Sequence, residues 1–419
     1  MTPPPGPSHP PATQPPALPP APSATQSPAH PAAQPPSQTS PAAGGGPLGA
    51  LPASQTCYDI VALGEVMLRL DPGERRIRTT RSFDVWDSGA EYNVARAFRR
   101  SFGLRGALIS AFTDNEVGRL LEDIMLGSGV DLSFVRWEPF DGIGRQNRNG
   151  LNFAERGFGL RGALGCVDRA YTAISQLRPG QIDLAELFGR RRTRLFHSGG
   201  IMAGLSDVAA QTTLEVIRYA RANGAIVSYD LNYRPSLWAA LGGQRRCQEV
   251  NRVIAQEVDV LLGNEEDFTA CLGLQVAGLD ADLTQLNRPA YRDMVLEAAA
   301  TWPNLKAIGV TLRRVRSANL NDWGALGWVR PASGSQSADA GFADARQRND
   351  LAILDRLGGG DSFASGFLYG LLELSDLKAA VEYGAANGAL AMTTPGDTTT
   401  ATLAEIERLV AGGSARVQR

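Results

Sequence analysis

Between residues 59 and 410 the apolar positions follow two alternating patterns. Short solid runs, such as Ile60-Val61-Ala62-Leu63, Ala107-Leu108-Ile109 and Ala225-Ile226-Val227, have the length and β-branched content of buried strands. Further runs at 193–200, 259–263 and 308–313 read the same way. Between them, apolar residues recur every three or four positions over 94–102, 114–126, 207–223, 377–392 and 403–410, the spacing of helices with one buried face. Asp114 is expected to cap the second of these helices. Strand and helix in alternation predict an α/β fold, a doubly wound, mostly parallel sheet with helices on both faces. Two pieces depart from the alternation. The arginine-rich stretch 75–86 has a two-residue alternation suited to strands solvated on one face, and 336–349 is poor in apolar residues, as a surface excursion would be.

Polar groups cluster where the predicted strands end, which is where parallel sheets bind ligands. Asp230-Leu231-Asn232-Tyr233-Arg234 follows one strand, and Asn264-Glu265-Glu266-Asp267 follows another. The first is either a solvated strand end or a polar pocket wall. The second either caps the next helix or holds Mg²⁺ through waters. Gly89, Glu91 and Asn93 sit at a strand-to-helix junction that is a ligand contact or an ordinary turn. The most distinctive stretch is Gly358-Gly359-Gly360-Asp361, which opens an apolar helix. Three glycines let bare N–H groups approach a ligand, and a helix N-terminus there attracts phosphate. Asp361 is then an N-cap or a general base.

Composition narrows the choices. The first 56 residues hold 18 of the 26 prolines, and no Lys or Arg precedes Arg69. That segment is read as a disordered, partly polyproline-II tail, with docking to a proline-binding module as the other reading. The 57–419 remainder forms the folded domain. A formal net charge of −2 with scattered basic residues gives no nucleic-acid surface. No apolar run reaches the ~20 residues of a membrane span. Four dispersed cysteines without a CxxC pair argue for a reduced, cytoplasmic protein without a disulfide framework. Of three histidines only His197 lies outside the tail, which disfavours a Ser-His-Asp triad. Gly157, Gly159 and Gly162 spell a GxGxxG, but no apolar strand precedes it and no clean helix follows, so a dinucleotide site is rejected.

Four segments together resemble the ribokinase-like (PfkB-type) sugar kinases, most of all the 2-keto-3-deoxygluconate kinases. These are Gly64-Glu65-Val66-Met67 with Gly89-Ala90-Glu91-Tyr92-Asn93, Asn149-Gly150-Leu151-Asn152-Phe153, Asp230-Leu231-Asn232-Tyr233-Arg234-Pro235, and 355–361, which is similar to the family's DTxGAGD signature. The resemblance implies a small β lid, from segments near 66–90 and 141–165, over a sugar acid, with ATP and Mg²⁺ at the sheet's C-terminal edge. It implies Asp361 as the base, and the N–H groups of Gly358, Gly359 and Gly360 as the phosphoryl cradle. Gly89, Ala90, Glu91, Asn93, Asn152 and Arg234 would meet the sugar. Asn232, Arg234, Thr311, Arg313 and Asn387 would meet the nucleotide, and Asn264 and Asp267 would hold the metal through water. A homo-oligomer is compatible with it; the alternatives are a kinase for another sugar such as fructose or ribose, and a non-catalytic sugar- or nucleotide-binding protein of the same fold. The chain departs from the pattern at Arg356 for the usual Thr, at Gly359 for the usual Ala, at Asp267 for the usual Glu, and at 311–316 for the usual lysine-glycine loop. The absence of a GxxxxGK[ST] loop argues against a P-loop kinase.

Overall fold

The computed structural model describes residues 47–274, 288–332 and 340–413. Fourteen strands are present among them: β1 (Tyr58–Leu63), β2 (Met67–Asp71), β3 (Asp84–Ser88), β4 (Gly106–Asp114), β5 (Asp131–Pro139), β6 (Gly150–Glu155), β7 (Leu164–Asp168), β8 (Thr193–Gly199), β9 (Ile226–Asp230), β10 (Val260–Gly263), β11 (Ala307–Ser317), β12 (Leu320–Val329), β13 (Phe342–Asp344) and β14 (Arg348–Ala352). The main sheet runs β13-β12-β11-β10-β9-β8-β1-β4-β5, with β14 beside β12. From β5 to β11 every pairing is parallel, and β12 turns antiparallel against β11. A second sheet of four strands, β3-β2-β6-β7, forms the lid.

The solid apolar runs become strands because both faces of the sheet are covered. β1 and β8 are buried along their whole length. Val61 and Leu63 of β1 enter one core, while Ile60 and Ala62 enter the other. The first core also takes Val216 and Ile217 of the helix Asp207–Ala222; the second takes Phe98 of Ala90–Arg100 and Phe363 and Phe367 of Gly359–Tyr369. That last helix packs on Leu377–Ala391 through glycine. A Cβ on Gly366 would lie 2.6 Å from the Tyr383 carbonyl oxygen, and one on Gly384 2.8 Å from that of Phe363. The helices approach closely because neither contact carries a side chain.

The sequence patterns need five corrections. Within 75–86, turns run to residue 83 and only β3 is strand; the apparent alternation there is a run of arginines, not a pleat. Asn115, not Asp114, caps Glu116–Leu126, its side chain accepting from the Gly118 N–H, while Asp114 pairs with Arg119. β5 carried no recognised pattern, because as an edge strand it is half-solvated on both sides. Within 336–349, residues 342–344 are β13 and Arg348 begins β14; the segment 333–339 lies outside the described residues. A strand, β6, does precede the GxGxxG segment, but the segment is the tip of the β6–β7 hairpin, closed by Phe158 and Arg161, so no helix follows and the dinucleotide reading stays rejected.

The proline-rich reading of 1–46 also falls outside the described residues, but 47–56 belong to the domain rather than to a tail. Leu48 is buried, and its carbonyl accepts from Lys306 Nζ at 2.9 Å. The Leu51 carbonyl accepts from Arg194 and the Thr56 carbonyl from Arg105. A chain starting at residue 57 should therefore be less stable than one starting at residue 47 by about 2 kcal/mol, mostly from Leu48. Denaturant midpoints of the two proteins check this; equal midpoints would refute the packing role.

Candidate active site

The site is built where β1, β9 and β10 end, under the lid. The N–H groups of Gly359, Gly360 and Asp361 precede the first helical bond, from the Ser362 N–H to the Gly358 carbonyl at 2.9 Å. Gly358 has φ +73, and a Cβ there would lie 1.6 Å from the Asp397 carbonyl oxygen, so only glycine fits this turn. Asp361 occupies the third helical position, and no side chain caps the helix. Its Oδ2 accepts from Asn93 Nδ2 at 2.6 Å instead. Burial is the main cause that pushes its carboxyl up to about 7, with Asp397 and Glu91 adding to the effect while Asn93 and Arg234 oppose it. Such a carboxyl is half-deprotonated near neutrality, a condition suited to proton transfer.

A cavity of about 590 Å³ opens over this turn. Gly358, Gly360 and Asp361 form its floor. From the lid side Gly89, Ala90, Asn93 and Asn152 reach it. Gly89 is close-packed, since a Cβ would sit 2.2 Å from the Glu65 carbonyl oxygen. From the ends of β9 and β10 come Asn232, Arg234, Asn264 and Asp267, and from β11 Thr311 and Arg313. The last two are two residues apart on one strand and so share a face. Asn232 adopts φ +36, a left-handed conformation that asparagine tolerates, and its N–H donates to Asp230 Oδ1 at 3.2 Å. Burial, then Asp267 and Asp361, push the Asp230 carboxyl up to about 8.

Three residues singled out in the sequence stand away from the cavity lining. Glu91 is buried beneath it, where Oε1 accepts from the Met202 N–H at 3.2 Å and Gly64 and Gly199 leave room for the side chain. Asn387 is fully buried; it donates to the Ser362 carbonyl and Ser365 Oγ, and accepts from Thr399 Oγ1 at 2.8 Å. Its side chain is thus spent on holding the glycine-turn helix to the 397–399 loop. Gly359 packs on Met392. Asn264 and Asp267 form a capping box. Asp267 Oδ2 accepts from the Asn264 N–H and Oδ1 from the Tyr233 N–H, both at 2.8 Å, while Asn264 Oδ1 accepts from the Asp267 N–H at 2.9 Å. Among the described residues no cluster of three or more His, Cys, Asp or Glu could hold a metal by itself.

Two features escaped the sequence reading. Arg169, just past β7, lines the cavity and is held by Glu65 at 2.6 Å, with Thr172 on the other Glu65 oxygen. The second is a sealed ionic cluster. Arg69 of β2, wholly buried, donates to Asp71 at 3.0 Å and also to Asp355 and Asp397. Asp397 in turn accepts from Ser88 Oγ. Burial alone would lower the Arg69 guanidinium, but Asp397 and Asp355 more than reverse this, and it stays charged. One side chain thereby joins the lid, the residue that starts the glycine turn and the loop packed against Gly358.

Two expectations follow. Arg69→Met leaves buried carboxylates unpaired and should cost about 3–5 kcal/mol, read as a denaturant midpoint shift; a loss below about 1 kcal/mol would contradict the cluster's role. Asp361 has a folded pKa raised from 3.8 to about 7, so its contribution to stability is complete below about pH 4 and is lost as pH rises through 7. Asp361→Asn should accordingly match the native protein below about pH 4 and melt increasingly higher than it as pH rises to 8. A difference independent of pH would show that the carboxyl is not perturbed.

The description "pfkB family carbohydrate kinase" matches residues 344–403. The chain is 30% identical over 364 residues to a 2-dehydro-3-deoxygalactonokinase from Haloferax volcanii, covering 86% of this chain and 99% of the relative. It is 24% identical to a 5-dehydro-2-deoxygluconokinase from Geobacillus kaustophilus, over 85% of this chain and 94% of that one. Among solved structures, a 2-dehydro-3-deoxygluconokinase from Thermotoga maritima superposes with a TM-score of 0.74 at 33% identity, covering 84% of this chain and 99% of that one.

Proposed function

The chain belongs to the PfkB family of carbohydrate kinases, and on that premise we propose that it transfers the γ-phosphoryl group of ATP to the terminal hydroxyl of 2-keto-3-deoxygluconate. The observation that carries this reading is Asp361, hydrogen-bonded to Asn93 and seated on the glycine turn that opens a helix into the cavity. Asp361 accepts the proton of the attacking hydroxyl. Asn93 fixes the carboxylate so that its free oxygen faces the sugar. The N–H groups of the turn stabilise the charge on the transferring phosphoryl, the usual source of rate in reactions governed by position and charge. Arg169 and Arg234 supply guanidinium groups for the carboxylate of an acid sugar, and Asn152 an amide for its hydroxyls.

Magnesium fits this site as a companion of the nucleotide. Both Asp267 oxygens already accept N–H donors, so the acidic lining offers water contacts rather than a protein cage. When bound, the ion neutralises phosphate charge. The chain's own part is to hold the waters through Asp267 and Asn264 and to keep Asp230 at a distance from Asp361. The galacto stereoisomer is the second reading, favoured by the Haloferax relative.

An ADP-release screen over keto-deoxy acids, hexoses and pentoses tests the substrate. The gluco or galacto keto-deoxy acid should give the highest kcat/KM; fructose or ribose ahead of both would refute the acid-sugar assignment. Asp361→Asn should lose ~10²–10⁴ in kcat while keeping ADP affinity. In the native protein kcat/KM should rise through pH 7 as Asp361 loses its proton. Near-native turnover of the variant would remove Asp361 as the base.

A further inference from the structure

Three arginines surround the glycine turn, and they differ in what they face. Arg69 is paired with three carboxylates through its two terminal nitrogens, its Nε alone lacking a partner. Arg356 and Arg313 are paired with none among the described residues. Among the described residues Arg356 has no hydrogen bond or ion pair, and its Nε is shielded from solvent without a partner. Arg313 likewise has no ion pair there, although the buried carboxyl of Glu265 feels its charge. Both line the cavity together with Leu357, Gly358 and Gly360. Burial, and then the charge of Arg313, lower the Arg356 guanidinium from its ordinary value. Two like charges brought together in a partly desolvated wall are unfavourable unless an anion joins them.

The backbone fixes where Arg356 can act. Asp355 is locked to Arg69 and its Oδ1 accepts from the Leu357 N–H at 3.2 Å, so Arg356 is held between the sealed cluster and the turn. Arg313 approaches from β11, beside the β10 end that carries Asn264. The anion that fits has more than one charged group. One carboxylate is satisfied by one bidentate guanidinium; here two guanidiniums and a helix N-terminus line one stretch of wall.

We propose that Arg356 and Arg313 form a polyphosphate clamp, which binds the phosphates of the nucleoside diphosphate or triphosphate donor and hands the terminal one to the glycine turn. This rests on the kinase reading for the identity of the donor, but the clamp itself is a claim about polyphosphate. Arg356 binds and positions the donor and touches no atom of the sugar.

Titration calorimetry of the full-length protein, native and with Arg356→Met, Arg356→Lys or Arg313→Met, tests the clamp with ADP, adenosine, tripolyphosphate and the keto-deoxy acid as probes. The expected result is a 10–100-fold loss of ADP and tripolyphosphate affinity for each Met variant, adenosine and sugar-acid affinity within about twofold of native, and partial recovery in Arg356→Lys. Unchanged ADP and tripolyphosphate affinity in Arg356→Met overturns the clamp and leaves the kinase reading standing. Equal loss of ADP and adenosine affinity also overturns it, because the residue would then be shaping the site rather than binding phosphate. So does a loss confined to the sugar acid, which would make the anion a carboxylate. Native protein that binds tripolyphosphate in an Arg356-dependent way but not ADP supports the clamp and removes ATP as donor. Native protein that binds neither overturns both.

Discussion

The buried guanidinium of Arg69 is the constraint on which the site depends. A charge removed from water is tolerated only when its partners are close and hydrogen-bonded. Here the partners come from three places far apart in sequence: Asp71 on the lid, Asp355 before the glycine turn, and Asp397 in the loop after the helix Leu377–Ala391. Each carboxylate is itself expensive to bury alone, so none of the three segments can move without exposing an unpaired charge. The lid is therefore fastened to the turn by electrostatics as well as by the apolar packing of Leu68 in the core it shares with Phe363. Arg156 adds a second cation on Asp71 at 3.3 Å, which halves the excess negative charge of three carboxylates on one guanidinium.

That fastening determines the conformation of the turn. Asp397 lies so close to Gly358 that any side chain there would clash with its carbonyl, and the left-handed φ of Gly358 is what aims the next N–H groups into the cavity. On the far side, Asn387 ties the same helix to Thr399, so the turn is gripped from both flanks. The result is a turn fixed on both flanks, the floor proposed to bind phosphate, beside a carboxyl whose pKa is pushed up to about 7 chiefly by burial.

Much of this architecture could be read from the sequence, and what could not has identifiable causes. The buried parallel strands and the amphipathic helices were legible because both faces of the main sheet are covered, which writes solid apolar runs into the chain. The strands of the edge and of the lid were not legible as patterns; the lid was expected only from the resemblance. β7 is exposed at every position and β5 is half-solvated, so neither carries a two-residue alternation. Residues that resemble a signature were found and mostly line the cavity. Glu91 and Asn387 were found too, but the pattern could not say that their side chains turn away from the cavity into packing. Arg69 was hidden by its setting. One arginine inside Val66-Met67-Leu68-Arg69-Leu70 looks like a solvated position of a strand, and nothing local says that carboxylates about 286 and 328 positions later will meet it. Arg169 was hidden in the same way, since its partner Glu65 is 104 residues earlier.

The distinction between sealed and open cations then organises the cavity. Once Arg69 is spent on the cluster, the arginines of the cavity lining that remain to meet anions are Arg169, Arg234, Arg313 and Arg356. Two of these arginines are tethered: Glu65 holds Arg169, and the Asp355 anchor holds the backbone on which Arg356 sits. A reaction that joins an acid sugar to a polyphosphate brings two anions together, and their mutual repulsion opposes the encounter. In the proposed reaction the arginines of the lining offset that repulsion, and Asp361 takes the proton of the attacking hydroxyl. On this view the arginine that replaces the usual threonine after Asp355 is part of the charge balance of the proposed reaction, because without it the donor side would rest on Arg313 and the helix N-terminus alone.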